Sequence, residues 1–534
     1  MEKRHMPAIR VHLFAILAFL LIAAASAIAQ KSAASSPSTA AAAETRTAHV
    51  LDLARNDPLN LYAFLVRMPK GADLHNHLTG AVYAESWIRA AAEDNLCVDL
   101  VTHSFFQSRA MTDSLPPQPV CGDGNIPAAH ANQDQHLYDA LIDAFSMRSF
   151  VPSTGVSGHD HFFDAFAKFH GVSHAHVGEF LDEVATRAAA QNEQYLELME
   201  TPPFEHTAAI AKELGWHANR SFGDFRDQLI AKGLRDDVAV TRAYFNEAES
   251  TRRQAERCDQ PNPAAACAVQ LRYLYQVLRG FPPEQVFAQT LLSFEVASAD
   301  PRVVGINLVM PEDGYVSMSD YALQMRMVGF LHGVYPKVHI TLHAGELTPG
   351  LVTYDGLSFH VRQAVEIAHA ERIGHGVSIM YEDRPYDLLK EMAAKHVMVE
   401  INLSSNDLIL GISGKNHPFP IYRKFGVPVA LSTDDEGVSR IDITHEYVRA
   451  VETYALTYAD LKQLARTGLE HNFLPGPSLW RELDVFTRPV AACSAEFLGA
   501  EKPSAGCAAF LKSSEKAQQQ WELERRLRAF ESSN

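Results

Sequence analysis

The chain has 534 residues, 47% of them hydrophobic, and a formal net charge of −17. That much apolar chain can bury a large core, such as one barrel of ordinary size with insertions. A surface this acidic repels phosphate backbones and anionic bilayers, which argues against nucleic acid as a partner and leaves small neutral or cationic substrates open.

The first residues stand apart. Lys3, Arg4, His5 and Arg10 precede an apolar run over 12–25, and Ala27-Ile28-Ala29 supplies a small-x-small cleavage site before Gln30. This is the layout of a secretory signal peptide over 1–29, and the run is short for a membrane span. The expectation is a secreted or periplasmic protein with no stable membrane anchor. Residues 30–44, rich in Ala and Ser, read as a disordered linker. Residues 45–68 read as an N-terminal helical segment, with Leu51, Leu53, Leu59 and Leu61 at helical spacing. The six cysteines form three local pairs, Cys97 with Cys121, Cys258 with Cys267 and Cys493 with Cys507. An oxidising compartment favours disulfides; sequence alone does not fix the connectivity, and buried free thiols are the alternative. No pair has C-x-x-C spacing, so a zinc-thiolate site is not indicated.

From Pro69-Lys70-Gly71 onward, short apolar runs alternate with helical stretches. Strands are expected near 72–78, 194–200, 237–244, 303–310, 337–343, 371–375, 397–403 and 427–433, with amphipathic segments such as 174–191 and 356–370 between them. The alternation predicts an α/β fold of parallel strands with crossover helices, and eight units predict a closed (β/α)8 TIM barrel over 69–475. The alternative, an open doubly wound sheet, lacks a G-x-G-x-x-G after the first strand. The interval after strand 1 is too long for one crossover, so about 97–160, with Cys97, Cys121 and Pro116-Pro117, reads as an inserted subdomain. Residues 251–270 read as a smaller insertion and 476–534 as a C-terminal helical extension.

Reactive side chains collect at expected strand ends. His75 and His77 end the first, His343 the fifth, His375 the sixth, and Asp434-Asp435 follow the eighth. In a parallel barrel these ends share one face, where catalysis takes place. Residues i and i+2 of a strand point the same way, so His75 and His77 face the mouth together. With His343 and Asp434 they make a three-imidazole, one-carboxylate set suited to one zinc ion with a position left for water. Chance is the alternative for H-x-H in a chain with 25 His. Glu346, three residues past His343, is placed to carry a proton to or from that water. His375 either orients the water or is a structural histidine, and Asp435 either meets substrate or caps the next helix. Strand four, VVGINLVM, has no lysine to bridge two metals, which favours a single ion. No G-x-S-x-G, Walker loop or C-x-x-C stands in context, so serine, nucleotide-phosphate and thiol chemistry lack support.

The run Met68-Pro69-Lys70-Gly71-Ala72-Asp73-Leu74-His75-Asn76-His77-Leu78 resembles the opening motif of adenosine deaminases. His343-Ala344-Gly345-Glu346, Arg372-Ile373-Gly374-His375-Gly376 and Ser432-Thr433-Asp434-Asp435 resemble the later motifs, in order. The resemblance spans about 68–475 and looks closest to the secreted adenosine deaminase-related growth factor branch. It implies a metal-dependent hydrolase barrel and deamination of a purine nucleoside. Zinc would sit on His75, His77, His343 and Asp434, and an activated water would attack C6. Glu346 would shuttle a proton to N1, His375 would support the attacking oxygen, and Asp435 would contact N7. Thr79, Gly80 and Met310 would complete the substrate pocket, and a homodimer through the N-terminal helices is compatible with that branch.

This chain departs from the family pattern at Thr79, where Asp is frequent, at Met310, where Gly is frequent, at Asn307, where Asp is usual, and at Glu436, where Pro is common. Adenosine is therefore an expectation, beside a modified nucleoside. A different one-zinc hydrolase acting on another aminated heterocycle is the second hypothesis, and an exported, non-catalytic zinc-binding protein the third.

Overall fold

The computed structural model describes residues 37–108, 110–112 and 118–534, with side chains from 41 onward. The expected signal peptide and residues 30–36 lie outside the described residues. Eight parallel strands follow one another in sequence order: β1 (Gly71–His77), β2 (Glu193–Glu200), β3 (Gln270–Leu278), β4 (Val303–Val309), β5 (His339–Ala344), β6 (Arg372–His375), β7 (Met398–Ile401) and β8 (Val429–Leu431). Most are buried on both faces, as parallel strands wrapped by helices must be. The ring closes between β8 and β1. Asp434 N–H donates to the His75 carbonyl at 2.8 Å, His77 N–H to the Asp434 carbonyl at 3.2 Å, and Thr433 N–H to the Asp73 carboxylate at 3.1 Å. The closing seam thus runs through the H-x-H and Asp-Asp motifs themselves.

One expected strand is corrected. Residues 237–244 lie in the helix Asp236–Ala255, and the third strand is Gln270–Leu278. The buried positions Asp237, Thr241, Phe245, Ala248 and Arg252 recur at helical spacing, which outweighs the short apolar alternation of DVAVTRAY. Residues 251–270 are the end of this helix and a turn closed by Cys258–Cys267.

Between β1 and β2 the chain forms a small antiparallel sheet, Ser104–Phe106, Cys97–Asp99 and Asn125–Pro127. The helices Gln135–Phe145, Gly158–Phe169 and Val177–Ala190 follow. Cys97 and Cys121 are bonded there, and Cys493 and Cys507 are bonded near the C-terminus. The first described helix is Pro37–Ala54, so helix begins ahead of residue 45. With Pro58–Leu65 it packs on the last helix, Glu515–Ser533: Phe64 meets Phe530 at 5.1 Å, and Lys462 bridges Glu44 and Glu531. Leu51, Leu61, Phe64 and Leu65 are buried within the chain, while Leu53 and Leu59 are exposed. Among the described residues no helix is long and apolar enough to cross a membrane.

Candidate active site

His75 and His77 leave β1 on one side, their rings 5.3 Å apart. The His343 ring, near the end of β5, lies 4.6 Å from His75 and 5.1 Å from His77. Asp434 follows β8 with φ 62°, a left-handed conformation stored where it aims a side chain. Its Oδ1 lies 3.4 Å from His75 Nε2 and 3.3 Å from His77 Nε2, and His77 Nε2 lies 3.1 Å from His343 Nε2. One donor atom from each of the four residues falls within 4.8 Å of the others.

The far nitrogen of each imidazole is held by an acceptor from another strand. His75 Nδ1–H donates to Glu400 of β7 at 2.6 Å, His77 Nδ1–H to Gln276 of β3 at 2.5 Å, and His343 Nδ1–H to Asn307 of β4 at 2.8 Å. These bonds fix the tautomers and turn three Nε2 lone pairs on one point. Lone pairs so close repel one another unless a cation lies between them. The buried His75 Nε2 has no hydrogen-bond partner among the described residues. Three nitrogens and a carboxylate suit zinc. Burial pushes His77 down to about 4, and burial with the neighbouring imidazoles pushes His343 well below the usual range, leaving both in the neutral form that ligates. Burial also opposes charge on His75, but Asp434 and Glu400 prevail and raise it to about 10. A metal ion bound there would take the place of that proton.

Glu346 follows β5 through Gly345, whose φ is 77°. Its loop is pinned by the buried carboxylate of Glu312, which accepts from Gly345 N–H at 2.9 Å, Glu346 N–H at 2.7 Å and His360 Nδ1–H at 2.5 Å. Burial, then the charges of Asp434 and Glu312, push the Glu346 carboxyl well above the ordinary range. His375 ends β6 with φ 67°. Its Nδ1 accepts from Asn406 Nδ2 at 2.9 Å, so Nε2 carries the hydrogen. That Nε2 has no hydrogen-bond partner among the described residues and stands 3.8 Å from Asp434 Oδ2. Gly374 leaves room for the His75 ring, because a Cβ there would meet His75 Cε1 at 2.5 Å.

Asp435 makes no side-chain cap to the helix Glu436–Ser439, and its buried Oδ1 has no hydrogen-bond partner among the described residues. Gly80 lies against it: a Cβ at Gly80 would stand 1.6 Å from Asp435 Oδ1. Gly80 thus backs Asp435, while Thr79 and Met310 line the cavity with His77, His343, Glu346, His375, Asp434 and Asp435. The cavity measures about 840 Å³ and has an aromatic wall carrying Phe162, Phe163 and Phe166 of the helix Gly158–Phe169. Met310 keeps a backbone conformation normally left to glycine, φ 92°, and its sulfur folds back to accept from Gly280 N–H at 3.3 Å. Glu436 is engaged elsewhere, accepting from Arg187 at 2.8 Å.

Glu400, Gln276, Glu312 and Asn406 are site residues that sequence reasoning missed. Their signal is a polar side chain in or beside an otherwise apolar buried strand, as in VMVEINL. Asn307 stands out in sequence only as a departure, whereas the structure makes it the acceptor that orients His343.

Residues 241–484 match the adenosine deaminase family model. Over 174 residues the chain is 33% identical to adenosine deaminase of Clostridium perfringens, covering 32% of this chain and 47% of the relative. Over 255 residues it is 28% identical to adenosine deaminase of Vibrio atlanticus, covering 46% and 64%. The chain therefore spans about half the length of the first of these relatives. An amidohydrolase from Burkholderia ambifaria, solved with bound Zn, shares the fold at 17% identity and TM-score 0.50, over 78% of this chain and 88% of that one. Ordered motifs, a sequential eight-stranded barrel and these matches point one way: the chain is similar to adenosine deaminases, and its residues 241–484 match that family.

Proposed function

We propose that the protein hydrolyses adenosine or a related purine nucleoside to an inosine-type product and ammonia, using one zinc ion. The observation that carries this reading is the convergence of His75, His77, His343 and Asp434 beside Glu346, His375 and Asp435 in one cavity. Zinc held by the first four would supply Lewis acidity and make a water nucleophilic near neutral pH. His375 Nε2–H is aimed to hold the attacking oxygen. Glu346 takes the proton released by that water and delivers it to the ring nitrogen beside the attacked carbon. The oxygen forms its C–O bond to that carbon, the remaining hydroxyl proton passes to the exocyclic amine, and the C–N bond breaks to leave a carbonyl and release ammonia. Asp435 lies across the site, where it reads the imidazole edge of the purine. Thr79 on the cavity wall favours a second reading, the same chemistry on another aminated heterocycle.

The test is ammonia release and loss of adenosine absorbance with zinc-loaded protein. Turnover abolished by a chelator is expected. Stoichiometric zinc with no ammonia from any aminated purine would overturn the reading. Export of the mature protein is part of the proposal, supported by the layout of residues 1–29 and the three disulfides. An intact mass beginning at Gln30 is expected, and retention of residues 1–29 would contradict it.

A further inference from the structure

The groups assigned to chemistry stand over β1, β5, β6 and β8, and the cavity is larger than that corner. It spreads across the end of β2 toward the insertion helices, where Trp87, Val177, Phe180 and Phe204 make an apolar arm. Two carboxylates line the cavity beside them, the exposed Glu205 and the buried Glu200, the last residue of β2. The β1–β2 register pairs His77 with Met199, so Glu200 follows at the level of Leu78 and Thr79. Its side chain is only 5% exposed, and Oε1 accepts from the Tyr244 hydroxyl at 2.5 Å. Among the described residues it has no ion-pair partner, and no Lys or Arg lines the cavity. A buried carboxylate with one neutral donor keeps acceptor capacity that must be filled, and its cost falls on whatever occupies the arm.

We propose that Glu200 is the residue that reads the sugar of the substrate, its carboxylate accepting furanose hydroxyls and repelling a phosphate at the same place. This rests on the nucleoside reading above and narrows it to uncharged, hydroxyl-bearing nucleosides. Thr79, just after β1, offers no carboxylate; the neighbouring strand does, through Glu200. A sugar hydroxyl facing no acceptor, or a carboxylate facing no hydroxyl, loses a charge-assisted hydrogen bond, which is why such contacts discriminate steeply.

The experiment measures equilibrium binding to zinc-loaded full chain, and turnover in parallel, for Glu200, Glu200→Gln and Tyr244→Phe proteins. The ligands are adenosine, 2′,3′-dideoxyadenosine, 5′-deoxyadenosine and adenosine 5′-monophosphate. For Glu200→Gln, adenosine binding should weaken roughly tenfold or more. At least one deoxy analogue should lose its dependence on residue 200, and the gap between adenosine and its monophosphate should narrow. Tyr244→Phe, which keeps the carboxylate, should retain the preference. Equal weakening of all four ligands, or none, overturns the proposal, as does a wild-type protein that binds dideoxyadenosine as tightly as adenosine. Glu200-dependent adenosine binding without ammonia release would sink the deaminase reading and leave the sugar contact standing. Ammonia release indifferent to residue 200 would do the reverse.

Discussion

Glu346→Gln keeps the shape of the side chain and removes its exchangeable acid. The loop that carries it is held through backbone N–H groups by Glu312, so the variant should fold and keep its metal. Turnover should fall by about 10²–10⁴, checked by ammonia release alongside metal analysis; comparable turnover would remove Glu346 as the proton carrier. At this scale the reactive atoms are largely legible in the sequence, because H-x-H, HAGE and the Asp pair sit where apolar runs end. The atoms that orient them are not. Gln276 lies on a strand whose place in the sequence goes to 237–244, and Glu400 lies inside a run too short to show its inward face. Which acceptor meets which imidazole depends on the order of strands around the ring, and no local pattern encodes that.

The helix Gly158–Phe169 forms part of the aromatic wall, and its first turn is tied to the loop after β4 by His159 Nε2 and Asp313 at 2.9 Å. Burial opposes charge on His159, but the hydrogen bond and charge of Asp313, with Asp160, prevail and raise its pKa above the ordinary value. A raised imidazole pKa contributes stability that is fully present below the unfolded value of about 6.5 and is lost as pH rises through the folded one. Amide exchange over 157–166, corrected for intrinsic rates, should therefore be faster at pH 8 than at pH 6, and His159→Asn should abolish the difference. Unchanged protection in the native protein would show that the tie carries no weight. At the element scale, sequence periodicity identifies seven of the barrel strands and misplaces the third. Short strands in a parallel barrel are buried on both faces, so apolar runs carry little information about which one is a strand.

For the whole molecule, a ligand that binds only the folded chain stabilises it by mass action, about 4 kcal/mol at a free concentration a thousandfold above Kd. Chelation should lower the melting temperature, and His77→Ala should melt at one temperature with or without zinc. A melting temperature of the native protein that ignores both zinc and chelator would separate the metal from the fold. The sequence conveys the number of βα units and the long excursion after β1. It does not convey that the helix Pro58–Leu65 and the last helix, far apart in the chain, pack together through Phe64 and Phe530.

The seam between β8 and β1 also sets an order of events. His75 and His77 are made early and Asp434 late, and the backbone bonds that join them are the bonds that close the ring. A chain emerging from its N-terminus therefore carries two imidazoles with no carboxylate to complete their set. On the proposed metal set, capture of the ion would be the last act of assembly: a truncated or half-threaded chain would lack the ligands to hold it tightly, and a chain that held it tightly would have finished folding.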